Sequence, residues 1–245
     1  MTEADDGPAR PPAMRQPGLV SRLVGVLLTP RRTFGDVVRQ PKWLGALTVV
    51  TVAMAGGGGW LASTELGQQM LLEQQVSVME SVGITITDEV YDQLAGRLEY
   101  ATYFTAGSTI VSIPLVTLII TGAVWTACYV LLGARAPFRA MYAVVVHVGA
   151  VSLVQQLFVV PLNYARGVMS SPTTLAAFLP ILDPGSFLAR LLGAIDLFVI
   201  WQLMVFAIGV AVLYGKRTGP IATIFYMLYA VIAVVIAFVF TRIGG

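Results

Sequence analysis

Five stretches of this sequence are long and nearly free of the charges that would hold them in water. Trp43 to Thr64, Tyr100 to Ala134 and Thr218 to Thr241 contain no Asp, Glu, Lys, Arg or His. Ala140 to Ala165 holds one such residue, His147, and Leu191 to Gly215 holds one, Asp196. A helix needs about 20 predominantly apolar residues to cross the hydrocarbon core of a bilayer. A buried soluble helix explains one run of this kind, but five of them make up half the chain. Charged residues are 11% of the whole, against about 25% in soluble domains, too few to cover a surface facing water. The expected fold is all-α, a polytopic transmembrane bundle with spans near 44–63, 104–132, 140–164, 190–214 and 219–241. The stretch 174–189 is apolar but interrupted by Pro180 and Pro184, so it reads as an interfacial or re-entrant segment.

Basic residues stay on the cytoplasmic side of a membrane. With the N-terminus inside, eleven Lys and Arg fall on inner segments, including Arg135, Arg139, Lys216 and Arg217 in the two short loops. Four fall outside: Arg97, Arg166, Arg190 and Arg242. Five spans then put the C-terminus outside. No signal peptide is apparent, because residues 1–18 are polar and rich in proline. They read as a disordered cytoplasmic tail.

Residues 19–42 form a separate interfacial unit ahead of the membrane domain at 43–245. Leu19, Val20, Leu23, Val24 and Leu27 recur at helical spacing. Thr29-Pro30 resembles an N-cap followed by proline at the first helical position. Phe34, Val37 and Val38 then make one face, and Arg31, Arg32 and Arg39 another. Two readings stand equally: an amphipathic pair on the inner lipid surface, or a cytosolic cap packed on the bundle. The outer loop at 64–103 is too long to lack structure. Gly83 and Thr87-Asp88-Glu89 predict a helical hairpin, its second helix running into span two.

Ionisable residues inside spans are functional candidates by default. At about 1.5 Å per residue, Asp196 lies in the outer half of span four and His147 in the inner half of span three, too far apart to pair. Gln155, Gln156, Thr109 and Ser112 share the depth of Asp196. An outer-half polar cluster of Asp196, Gln155 or Gln156, and Ser112 or Thr109 is therefore expected. It serves either as a proton or substrate site or, as the simpler reading, as interhelical hydrogen bonding worth ~0.6–2 kcal/mol per contact. His147 reads as a neutral imidazole bonded to a carbonyl or hydroxyl of a neighbouring helix. Gly56, Gly57, Gly58 and Gly59 read as a hinge, since four glycines are poor helix formers.

No metalloprotease, nucleophile-elbow or paired-aspartate motif is present, and one histidine with one cysteine builds no metal site. No cofactor, metal or nucleic-acid partner is expected. Phe187-Leu-Ala-Arg-Leu-Leu-Gly-Ala-Ile-Asp-Leu-Phe-Val-Ile-Trp-Gln-Leu-Met-Val-Phe-Ala-Ile-Gly209 resembles bacterial members of the Yip (Ypt/Rab-interacting protein) domain family. Leu28-Thr-Pro-Arg-Arg-Thr-Phe-Gly-Asp-Val-Val, Pro41-Lys-Trp-Leu and Phe138-Arg-Ala carry the resemblance further, over roughly 19–241. It implies five spans with the N-terminus inside and no enzyme activity. The expected protein sits in a bacterial inner (cytoplasmic) membrane and acts through protein or lipid contacts, its partner either a second copy or an unknown membrane protein. The eukaryotic Asp-Leu-Tyr-Gly-Pro signature is missing, and Asp183-Pro-Gly-Ser-Phe does not replace it, so GTPase binding is not carried over. The rival reading is a small permease or the membrane subunit of a transport complex, working at Asp196.

Overall fold

A computed structural model describes residues 17–133, 135–169, 171–183 and 185–243. Residues 1–16, where the disordered tail was expected, and Pro184 lie outside the described residues. The chain is helical: α1 (Leu19–Leu28), α2 (Pro30–Arg39), α3 (Leu44–Ala62), α4 (Glu65–Ser81), α5 (Asp88–Gly96), α6 (Ala101–Leu132), α7 (Phe138–Arg166), α8 (Phe187–Gly193), α9 (Leu197–Tyr214) and α10 (Thr218–Ile243). Five of these, α3, α6, α7, α9 and α10, are long and apolar enough to cross a membrane.

The central helix is α7. Its residues Ala140–His147 are all buried, as expected of a helix that is apolar all round. It packs against α3, α6 and α9, while α10 packs on the far side of α9. Side-chain hydrogen bonds accompany these contacts. Gln156 Nε2 donates from α7 to the Ala53 and Met54 carbonyls of α3, at 3.3 and 3.2 Å. Gln202 Nε2 donates from α9 to Ser152 Oγ and Gln155 Oε1 of α7, at 3.2 and 3.4 Å. Tyr226 Oη donates from α10 to the Ile200 carbonyl of α9 at 3.1 Å. The helices α6 and α10 are peripheral and leave most of their apolar surface uncovered.

Helix ends follow local chemistry. Gly215 takes φ +63° after α9, and the Lys216 N–H bonds back to the Ala211 carbonyl at 2.8 Å, a glycine-dependent helix stop. Thr64 and Thr87 cap α4 and α5 by accepting from Gly67 N and Val90 N. The hairpin therefore breaks at Gly83 and restarts at Thr87. A 3-10 turn, Leu98–Tyr100, links α5 to α6. Aromatic pairs mark both ends of the bundle, Trp43 on Tyr142 at one and Trp60 on Tyr164 at the other, with ring centroids 5.1 and 5.5 Å apart. Such rings suit the two membrane–water interfaces.

The α1–α2 pair sits against the bundle. Phe34 and Val37 are fully buried among α7 and α9. An added Cβ on Gly209 of α9 would meet Val144 Cγ1 at 2.5 Å and the Phe34 ring at 3.2 Å, so α2, α7 and α9 meet closely at that glycine.

Candidate functional site

Asp196 is the N-cap of α9 and not a residue within the span. The span expected from 190 is two pieces: α8 ends at Gly193, and α9 begins at Leu197. The break is chemical. Asp196 Oδ1 accepts from the Phe198 and Val199 N–H groups at 2.7 and 3.4 Å, satisfying amides that no upstream turn can reach. Its other oxygen, Oδ2, accepts from Ser171 Oγ at 2.7 Å and Thr173 Oγ1 at 2.6 Å. These hydroxyls come from the 171–183 connection, which also pairs through Leu175 N to the Ile195 carbonyl and Leu197 N to the Thr173 carbonyl. Tyr229 of α10 donates to the Ala194 carbonyl at 2.8 Å and accepts from Asp196 N at 3.0 Å. Burial alone would raise the Asp196 carboxyl. The Thr173 and Ser171 hydroxyls and the two backbone amides outweigh it and hold the group below the ordinary carboxylate range.

The expected cluster does not assemble around this acid. Gln155 and Gln156 turn to Gln202 and to the α3 carbonyls. Thr109 and Ser112 donate back to carbonyls of their own helix, Thr105 and Thr109. Ser112 instead lines a cavity of about 420 Å³ between α3, α6, α7 and α9, with Thr117, Ser152 and Gln202 as further polar groups in a largely apolar wall. Sequence reasoning missed Ser171, Thr173, Gln202 and Tyr229. The available signal was an acid directly before an apolar run, which marks a helix start.

His147 is fully buried, and its Nδ1 lies 2.7 Å from the Ala143 carbonyl of its own helix, where a neighbouring helix was expected. A carbonyl only accepts, so Nδ1 carries the proton, and a neutral ring leaves Nε2 as an acceptor. Nε2 has no partner among the described residues. The four glycines lie inside the continuous helix α3. A Cβ on Gly57 would fall on Gln156 Nε2, and one on Gly59 would press Ala106 of α6 at 3.3 Å. Here Gly57, Gly58 and Gly59 make room for neighbouring side chains, and Gly56 meets nothing within 4 Å. No group of three or more metal-ligating side chains occurs among the described residues.

In comparison with known proteins, the family model described as Yip1 domain aligns with residues 24–241. Searches of curated proteins and of solved structures return no match. The resemblance carried by the α1–α2 region and by Phe187–Gly209 is thus borne out over nearly the whole chain. With five helices able to span a bilayer and a family match of this extent, the chain is an integral membrane protein belonging to the Yip1 domain family.

Proposed function

We propose that this protein is non-catalytic and acts through protein or lipid contacts within the bilayer. In this reading it resides in a bacterial inner (cytoplasmic) membrane, with its N-terminus in the cytoplasm and its C-terminus outside. A contrast between polar and apolar groups supports it. The Asp196 carboxylate accepts four hydrogen bonds and Gln155, Gln156 and Gln202 all take part in interhelical bonds, so these groups are committed to holding the bundle. By contrast, α6 and α10 present broad apolar faces, including Val111, Ile119, Val231 and Val235, that the described residues leave uncovered. Lipid covers such faces, and so does another membrane protein or a second copy.

Photo-crosslinkers placed at Ile119 and at Val235 test this in intact membranes. Discrete protein adducts, or dimers of the chain, are expected from at least one face. The rival permease reading draws on the 420 Å³ cavity that Gln202 and Ser112 line. Saturable solute flux in proteoliposomes, abolished by Gln202→Ala, would replace the contact reading with transport.

A further inference from the structure

We propose that the groove between α1 and α2 binds a phosphate group, carried by the headgroup of an anionic membrane lipid. The groove encloses about 1100 Å³ and is lined by Arg22, Arg31, Arg32 and Arg39, with Asp36 as the one carboxylate among the described residues of its wall. Arg22 is the anchoring observation. It is 4% exposed, and its Nη1 donates to the Gln40 carbonyl at 3.3 Å. Among the described residues its Nε is buried with no partner, and no carboxylate pairs with it. A buried guanidinium without a counter-charge is costly, and a bound anion removes that cost. The planar fork of Arg suits phosphate oxygens in particular.

The N-terminus of α2 adds to the same wall. Thr29 Oγ1 donates to the Gly25 carbonyl at 3.4 Å and does not cap the helix, while Pro30 contributes no N–H. The amides of Arg31 and Arg32 therefore have no side-chain cap, and the positive end of the helix dipole favours an anion there. The rim distinguishes a lipid from free phosphate. Val24 and Leu28 line the groove, and Val20 beside them is 73% exposed. These apolar side chains have no use for a soluble ion but fit the glycerol and upper acyl region of a lipid. The proposal rests on the lipid half of the contact reading above.

The test uses the full chain in a neutral detergent, with native mass spectrometry reading bound lipid. Dioctanoyl phosphatidic acid is expected to be retained saturably and dioctanoyl phosphatidylcholine far less. The double variant Arg31→Gln, Arg32→Gln changes exposed side chains and is expected to weaken retention by about tenfold or more, the loss of charge-assisted hydrogen bonds. Arg22→Gln is compared only if its melting curve shows a folded protein, and the double variant stands without it. Equal retention of both lipids, or retention unchanged in the double variant, overturns the site. Inorganic phosphate displacing the lipid at comparable concentration overturns the lipid assignment and leaves a soluble phosphate as the ligand. Binding in detergent needs no protein partner and no membrane orientation, so failure here leaves the crosslinking result intact.

Discussion

The Asp196 carboxylate is 8% exposed and yet charged, because four donors converge on its two oxygens. Its carboxyl is held below the ordinary range, so its contribution to folding is complete above the unfolded value. That contribution is lost as pH falls through the lower folded value. Two consequences follow for thermal melting in detergent. Asp196→Ala should cost ~1–3 kcal/mol, from a lost cap and orphaned Ser171 and Thr173 hydroxyls. Asp196→Asn, which keeps an acceptor for the Phe198 amide, should lose less and should lack the wild-type fall in stability below about pH 4. An Asn variant as acid-sensitive as the wild type would contradict the assignment. The sequence marked Asp196 as unusual because an acid stands out in an apolar run. It could not supply Ser171 and Thr173, which reach the acid only because a connection more than 20 residues upstream folds back over the start of α9.

At the scale of helices, the glycines separate into those that touch something and those that do not. Gly209 of α9 faces Val144 and Phe34, both locked in the core, and an alanine there has no room to enter. Gly209→Ala should destabilise by ~1–3 kcal/mol through overpacking. Gly56 of α3 meets nothing within 4 Å, so Gly56→Ala should be neutral or stabilise by up to ~1 kcal/mol through helix propensity. Melting of the two single variants under one condition checks the contrast, and equal effects would remove the packing account. Span positions were legible in the sequence because the absence of charge over 20 residues is a one-dimensional property. The division of span four was not, since α8 and α9 are both apolar and only the capping geometry at Asp196 separates them. The role of Gly57 was hidden for a related reason: its neighbour is Gln156, about a hundred residues away in the chain.

For the molecule as a whole, the α1–α2 pair and the α4–α5 hairpin lie at opposite ends of the spans. The amphipathic pattern of residues 19–39 fits a lipid surface and a protein surface equally, and the sequence alone left both readings standing. In the fold Phe34 and Val37 enter the bundle, while Val20, Val24 and Leu28 face outward beside the arginines. In the proposed orientation the α1–α2 end faces the cytoplasm, and the charge distribution supports it. Arg22, Arg31, Arg32, Arg39, Arg135, Arg139, Lys216 and Arg217 gather at the α1–α2 end, and basic residues resist translocation. Single cysteines at Ser77 in α4 and at Lys216 after α9, both exposed, report the two sides once the buried Cys128 is replaced by alanine. In intact cells a membrane-impermeant maleimide should label Ser77→Cys, and Lys216→Cys only after permeabilisation. The reverse pattern would place the arginine groove outside. It would also separate the two halves of the functional reading, because a phosphate site at α1–α2 could still bind in detergent while the lipids of the cytoplasmic leaflet lay out of its reach.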